Sequence, residues 1–161
     1  MKTYQTGNIR NVVLLGSSKS GKTTLAEAMM FEGKVIDRRG TIEAKNTVSD
    51  NTEVEQIYQR SIYSTPLYTE FMDNKLNIID TPGQDDFIGG VVAGFKVADA
   101  GIMIVNATQG VEVGTEIFAR YAEQYKMPLI IGVNQIDSEK AGWDTTIDSL
   151  KQTFGNKVVP V

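Results

Sequence analysis

The segment from Gly16 to Thr23 has the residue types and spacing of a loop that binds phosphate. It reads Gly16, Ser17, Ser18, Lys19, Ser20, Gly21, Lys22 and Thr23, which matches the pattern G-x-x-x-x-G-K-[ST] without a gap. Successive backbone N–H groups of such a loop converge on one anion, and the following helix points its positive end at the phosphates. We therefore expect Lys22 to reach the β and γ phosphates of a nucleotide and the Thr23 hydroxyl to bind Mg²⁺. Thr24, the next residue, is also predicted to bind the nucleotide.

A second motif, Asp80-Thr81-Pro82-Gly83, follows the apolar run 76–79. An acidic residue at the end of a strand is typical of the carboxylate that supports Mg²⁺ through water. Gly83 would let its backbone N–H turn toward the γ phosphate, and Gln84 would orient the attacking water. The alternative interpretations are a plain turn for the motif and a solvated loop side chain for Gln84.

A third motif, Asn134-Gln135-Ile136-Asp137, follows the apolar run 129–133. The Asp137 carboxylate can accept two hydrogen bonds from N1–H and N2–H₂ of guanine. Adenine would leave that carboxylate unpaired, so the motif favours a guanine nucleotide. Asn134 would bridge loops and touch the base, and Gln135 belongs to the same predicted set. The alternative is a turn in which Asp137 or Ser138 caps a helix.

The motifs need a scaffold that brings them together, and the apolar pattern predicts one. Short apolar runs of strand length lie at 12–15, 76–79, 102–105, 129–133 and 158–161. Helix-like stretches lie at 24–31, 87–97, 113–125 and 144–154. Because the runs do not alternate with polar residues, they suit strands buried on both faces. The pattern predicts an α/β, doubly wound, mostly parallel sheet with the P-loop NTPase fold.

One strand is expected to run against the others. Asp73-Asn74-Lys75 lies between apolar residues like a hairpin loop, which makes the strand near Tyr68 antiparallel to its neighbour. The stretch 34–66 has no clear period, and a segment of that length in a compact domain is usually functional or disordered.

Composition limits the function classes. The chain of 161 residues has a net charge of −4 and contains no cysteine or histidine, which excludes disulfides and histidine chemistry. It lacks both an apolar run of the roughly 18 residues that a membrane span needs and a signal peptide. We expect a cytoplasmic protein with no membrane or direct DNA binding. The chain stops after its last apolar run, which indicates a nucleotide-binding domain at 1–161 within a longer multidomain protein.

The motif order and the residues around the motifs resemble the GTPase domain of translation elongation factor G over nearly the whole chain. Residues 80–87 resemble the family's D-T-P-G-H-V-D-F, residues 109–112 its S-Q-G-V-E, and residues 124–128 its E-K-Y-K-V-P. The resemblance implies GTP hydrolysis, GTP or GDP with Mg²⁺ as ligands, and the ribosome as partner of the parent protein. Tetracycline ribosomal-protection proteins and release-type factors look similar in this region.

The chain departs from the family pattern where the family does catalysis. Gln84 stands in place of a histidine, and Gln135 in place of the lysine whose stem lies along the base. Tyr63 stands where the family's threonine adds its hydroxyl to Mg²⁺. Ser64 or Thr65 would substitute for that threonine if the register shifts.

Lys19 and Asp85 are two further departures. The family usually has an aspartate at the position of Lys19, and this aspartate holds a monovalent cation against the phosphates. We hypothesise that the Lys19 ammonium takes the place of that cation, which makes Gln84, Lys22 and Lys19 the candidate catalytic residues. A solvated lysine is the alternative. Asp85 adds negative charge near the γ phosphate. We expect slow intrinsic hydrolysis, because an isolated domain of this type leaves the γ phosphate poorly aligned. The alternative is a nucleotide-gated ribosome-binding module with little or no hydrolysis, in which Tyr63, Lys19 and Asp85 mark lost catalysis.

Overall fold

The computed structural model describes residues 2–160, which form a five-stranded sheet in the order β2-β3-β1-β4-β5. The strands are β1 Ile9–Leu15, β2 Thr65–Phe71, β3 Asn74–Asp80, β4 Ala100–Asn106 and β5 Leu129–Asn134. The helices are α1 Lys22–Glu32, α2 Glu53–Tyr58, α3 Ile88–Val97, α4 Val113–Tyr125 and α5 Trp143–Phe154. Only β2 runs antiparallel, against β3, and the other pairings are parallel. This confirms the predicted fold class, including its single antiparallel strand.

The central strand β1 is buried on both faces, as its continuous apolar run predicts. Successive side chains of a strand point to opposite faces. Val13 and Leu15 therefore pack on one side, in a core that includes residues of α3 and α4. Leu14 packs on the other side against Ala26 and Met30 of α1. The sheet is thus covered by helices on both faces, which is what allows strands without polar residues.

The four parallel strands end at one edge of the sheet. Leu14 lies opposite Asp80 in the β1–β3 pair, and Asn106 lies opposite Asn134 in the β4–β5 pair. Ligands of open α/β sheets bind outside the carboxyl ends of the strands. The loops that follow β1, β3 and β5 carry the three predicted motifs and meet at this edge.

Two segments differ from the sequence expectation. The stretch 34–66 contains α2, whose start is fixed by a capping box between Thr52 and Glu55. The predicted strand at 158–161 is wrong for residues 158–160, which have no regular structure, and Val161 lies outside the described residues. Val159 is 73% exposed and forms no ladder, so its β-branched side chain has no packed surface to favour a strand.

No helix in the described part of the chain combines the length and apolar character needed to cross a bilayer.

Candidate functional site

The loop at 16–21 connects β1 to α1 and requires its two glycines. Gly16 has φ 142° and Gly21 has φ 103°. A Cβ on Gly16 would lie 2.4 Å from the Ile104 carbonyl oxygen, and one on Gly21 would lie 2.2 Å from Asn134 Nδ2. Within the loop, the Ser20 N–H donates to the Ser17 carbonyl at 3.2 Å. The backbone is therefore wrapped tightly, as an anion-binding loop requires.

Lys22, the first residue of α1, folds its side chain back into this loop. Its Nζ donates to the Gly16 carbonyl at 2.7 Å and to the Ser17 carbonyl at 2.9 Å, and the residue is 5% exposed. Burial lowers the pKa of Lys22 to about 8, although the nearby carboxylates of Asp80 and Asp50 raise it. The ammonium is thus held in place by the loop and lacks solvent to balance its charge, so an anion in the loop would stabilise it.

Thr23 and Asp80 lie in direct contact. The Thr23 hydroxyl donates to Asp80 Oδ2 at 2.8 Å, and the Ser49 hydroxyl donates to the same oxygen at 2.7 Å. Asp80 Oδ1 is buried and has no hydrogen-bond partner. Burial raises the pKa of Asp80 above its usual value, against the opposing effect of these two hydroxyls. The unpaired carboxylate oxygen and the neighbouring hydroxyl oxygens together form a set of hard oxygen ligands for a metal ion.

These oxygen ligands fit Mg²⁺, which usually combines one or two carboxylates with water and substrate phosphates. In the described residues, no three His, Cys, Asp or Glu side chains are grouped so that they could hold a metal by themselves. A site shared with a nucleotide phosphate is the arrangement that this donor set suits.

From the segment just before β2, the Ser61 hydroxyl lies beside that of Thr23, with 3.1 Å between the two Oγ atoms. In this structure Ser61, and not Ser64 or Thr65, is thus the residue whose hydroxyl contacts Thr23, and the role of Ser64 or Thr65 at Mg²⁺ stays a prediction. The Thr65 hydroxyl donates to the Ser49 carbonyl at 3.3 Å, and the Ser64 hydroxyl is buried without a partner. The reason is the end of α2, where Gln59 has φ 51° and reverses the chain.

Two glutamates that the sequence analysis did not identify hold the segment between α1 and β2. Glu27 is fully buried and accepts bonds from the N–H groups of Gly40 at 2.8 Å and Val48 at 2.6 Å. Glu55 accepts bonds from the N–H groups of Ile62 at 3.0 Å and Tyr63 at 3.1 Å. The bond to Glu55 fixes the Tyr63 backbone. Tyr63 itself is 59% exposed. The pattern Thr52-x-x-Glu55 was a readable signal for the second glutamate.

Asp50 is a further carboxylate beside the phosphate loop. It is 4% exposed, and neither of its oxygens has a hydrogen-bond partner. Burial, together with the charges of Asp80 and Glu55, raises the pKa of Asp50 to about 6. It lines the same cavity as the phosphate loop, the Ser61 segment and Gly83.

Gly83 is pressed against the phosphate loop. A Cβ at this position would lie 2.4 Å from Lys22 Nζ and 2.7 Å from the Ser18 nitrogen. Gln84 follows, is half-buried, and accepts a bond from the Phe87 N–H through its carbonyl at 3.1 Å. Asp85 is exposed at the start of a short 3₁₀ helix, Asp85–Phe87. The loop after β3 therefore reaches the loop after β1 only because residue 83 has no side chain.

The loop after β5 forms hydrogen bonds to the phosphate loop through two consecutive side chains. Asn134 Nδ2 donates to the Ser20 carbonyl, and Gln135 Nε2 donates to the Lys19 carbonyl, both at 2.9 Å. Asp137 is exposed in the turn that follows. Ser18, Lys19 and Thr24 are exposed around the loop, whereas Ser17 and Ser20 are buried. The structure therefore brings all three motifs to one edge of the sheet.

Comparison with known proteins gives a consistent result. The family model for the elongation factor Tu GTP binding domain matches residues 7–160. An elongation factor G-like protein of Mycobacterium tuberculosis is 35% identical over 155 residues, 96% of this chain and 22% of that protein. A mitochondrial ribosome-releasing factor 2 of Meyerozyma guilliermondii is 34% identical over 94% of this chain and 18% of that protein.

A solved structure gives the same picture. A crystal structure of a Thermus thermophilus protein has a TM-score of 0.88 and 31% identity, covering 91% of this chain and 22% of that one. The chain thus spans about a fifth of the length of the relatives it matches.

Proposed function

The chain belongs to the elongation factor Tu GTP-binding domain family, and we propose that it binds and hydrolyses GTP as part of an elongation factor G-like translation factor acting on the ribosome. Family membership confirms the resemblance to elongation factor G. The observation that supports the proposed activity is the meeting of three motifs at one sheet edge, where Asn134 bonds to the phosphate loop and Thr23 bonds to Asp80.

Lys22, Thr23 and Asp80 have the roles of holding phosphate and metal. The Lys22 ammonium, fixed by two loop carbonyls, would bind the β and γ phosphates. Thr23 and Asp80 would hold Mg²⁺, which bridges phosphate oxygens and neutralises their charge. Gly83, in contact with Lys22, would bring its backbone N–H to the γ phosphate. The loops at 34–66 and 83–90 would then order with GTP and relax with GDP.

Base selectivity is assigned to the loop after β5. The exposed Asp137 carboxylate would accept N1–H and N2–H₂ of guanine, while Asn134 holds this loop to the phosphate loop. A base without those donors would leave the carboxylate unpaired.

For hydrolysis, Gln84 would orient the attacking water and Lys19 would balance charge between the β and γ phosphates. The half-buried position of Gln84, next to Gly83, suits this role. We propose a slow intrinsic rate, because a domain of this type on its own leaves the γ phosphate poorly aligned.

A second candidate is a nucleotide-gated ribosome-binding module with little or no hydrolysis. One observation favours it: a Cβ on Gly114 would lie 2.9 Å from Ser17 Oγ and 3.8 Å from Asp85 Oδ1. The Asp85 carboxylate thus lies on the same glycine as the Ser17 side chain of the phosphate loop, and a negative charge here would oppose the charge that develops during transfer. Hydrolysis by the parent protein, measured with and without ribosomes, separates the two candidates.

The similarity to a ribosome-releasing factor keeps a release-type role open, and a tetracycline ribosomal-protection role stays a further candidate. For each of them we propose the cytoplasm as the place of action.

Calorimetric titration with GTP, GDP, ATP and ADP, with and without Mg²⁺, tests the proposal. We expect guanine nucleotides alone to bind, and more tightly with Mg²⁺. Asp137→Ala should remove the preference for guanine, whereas Asp148→Ala, an exposed aspartate of α5, should not. Equal affinity for ADP and GDP would rule out the assigned base recognition. Absence of binding to any nucleotide would rule out the function.

A further inference from the structure

Asn106, the last residue of β4, has a carboxamide with partners on both sides. Its Oδ1 accepts the N–H and the hydroxyl of Thr108, both at 2.8 Å, and its Nδ2 donates to Gln135 Oε1 at 2.8 Å. The residue is 9% exposed. Because a backbone N–H can only donate, the Asn106 oxygen must face Thr108. The Asn106 nitrogen must therefore face Gln135.

This orientation determines that of Gln135. Since Gln135 Oε1 accepts from Asn106, its Nε2 is left to donate, and it does so to the Lys19 carbonyl at 2.9 Å. Lys19 has φ 62°, a backbone region that residues with side chains rarely adopt. The bonds form a directed chain from Thr108 through Asn106 and Gln135 to the phosphate loop, and this chain helps to hold Lys19 in its conformation.

We propose that Asn106 is a positioning residue for the phosphate loop, acting through Gln135. This inference rests on the proposed nucleotide-binding function. The C=O and N–H of a trans peptide point in opposite directions. A donor on the Lys19 carbonyl therefore turns the Ser20 N–H into the loop, where it reaches the Ser17 carbonyl. A phosphate in the loop is bound by backbone N–H groups that, like the Ser20 N–H, point into the loop.

We call this chain of hydrogen bonds, from Thr108 through Asn106 and Gln135 to the Lys19 carbonyl, the relay. It depends on matched donors and acceptors at positions 106 and 135. Asn106→Asp would leave one carboxylate oxygen facing Gln135, so Gln135 must place its own oxygen against either that carboxylate or the Lys19 carbonyl. Gln135→Lys would set an ammonium against the Asn106 nitrogen, which Thr108 prevents from turning. The double substitution restores the pattern, because one ammonium donates both to a carboxylate at position 106 and to the Lys19 carbonyl.

The test is a set of four variants of this chain, read by release of fluorescent GDP and by thermal unfolding. N106D and Q135K should each speed release by roughly three- to tenfold, the range expected from one lost hydrogen bond. N106D/Q135K should release within about twofold of the parent chain. N77D is the matched control, since Asn77 Nδ2 donates to Asn11 Oδ1 at 2.8 Å in a second amide pair away from the loop. It should lower Tm without changing release.

A second readout separates the relay from the nucleotide-binding proposal. In the nucleotide-free chain, hydrogen exchange at the Ser20 amide should quicken in N106D and Q135K and recover in the double variant. If the chain binds no guanine nucleotide but shows this exchange pattern, the proposed function fails and the relay stands. Unchanged Ser20 exchange in N106D, or a double variant that releases GDP as fast as the faster single variant, would overturn the relay.

Discussion

The Val48 N–H donates to Glu27 Oε1 at 2.6 Å, which ties helix α1 to the loop that precedes α2. The other oxygen of Glu27 accepts the Gly40 N–H at 2.8 Å. Glu27 is fully buried, so its carboxylate depends on these two amides for hydrogen bonds, and the amides depend on it. One side chain thus fixes both ends of the segment 40–48.

Glu27→Ala should lower the free energy of unfolding by about 1–3 kcal/mol, because it removes the buried carboxylate that accepts the N–H groups of Gly40 and Val48. Residues 34–52 should also become more sensitive to protease. Urea unfolding and limited proteolysis measure these effects. Glu32→Ala is the control, since Glu32 is an exposed glutamate on the same helix. If the two variants are equally stable and equally resistant to protease, Glu27 does not hold the loop.

The parts of the fold that the sequence predicts are those that depend on local patterns. Helix α4 begins at Val113 and ends at Tyr125, as its apolar periodicity indicates. Strand β1 contains the predicted run because a strand buried on both faces reads as continuous apolar residues. The motif residues meet because each motif directly follows a parallel strand, and parallel strands end at one edge.

The parts that were not predicted depend on contacts across the chain. In the sequence Glu27 is one more polar residue in a helix, and its partners are backbone groups of a loop without periodicity. Ser61 reaches Thr23 because Gln59 adopts a positive φ after α2, which no residue pattern indicated. The apolar run at 158–161 suggested a strand by composition alone, although a strand also needs a neighbour.

Gly83→Ala should weaken GTP binding more than GDP binding. The added Cβ would lie 2.4 Å from Lys22 Nζ, so the loop after β3 must move away from the place proposed for the γ phosphate. Titration with both nucleotides measures the difference. Gly89→Ala, which meets nothing within 4 Å in α3, should leave both affinities unchanged. Equal losses for GTP and GDP in Gly83→Ala would mean that this loop does not sense the γ phosphate.

Asp80→Asn should remove the effect of Mg²⁺ on GDP retention while sparing the fold. Burial raises the pKa of Asp80 above 3.8, so its ionisation makes the folded state less stable as pH rises through that range. Asparagine lacks this penalty at neutral pH and keeps an oxygen for the Thr23 and Ser49 hydroxyls. GDP release with and without EDTA, and urea unfolding, test both statements. Asp86→Asn, at an exposed position, is the control, and a variant that still responds fully to EDTA would refute the metal role.

Glu55 should make the protein sensitive to acid. Burial alone would raise the pKa of Glu55, but bonds from Thr52, Ile62 and Tyr63 outweigh it and lower the pKa below 4.5. A carboxylate with a depressed pKa stabilises the fold fully above its unfolded pKa and loses that contribution as pH falls through its folded pKa. The stability difference between the parent chain and Glu55→Gln should therefore be constant above about pH 5 and shrink below 4.5. Urea unfolding at pH 7 to 3 measures it, and a difference that grows in acid would contradict the assignment.

Lys19 should make hydrolysis independent of the monovalent cation. Lys19 lines the same cavity as Lys22 and Gly83. We propose that its ammonium supplies the charge that K⁺ would otherwise provide. Single-turnover phosphate release should be equal in Na⁺ and K⁺ for the parent chain. Lys19→Asp, which tolerates the φ of 62°, should become faster in K⁺ than in Na⁺. Lys34→Asp is the matched control, because Lys34 is an exposed lysine with φ 57° outside the site. A parent rate that rises steeply in K⁺ would mean that the lysine points into solvent and that a bound monovalent cation neutralises the phosphate charge instead.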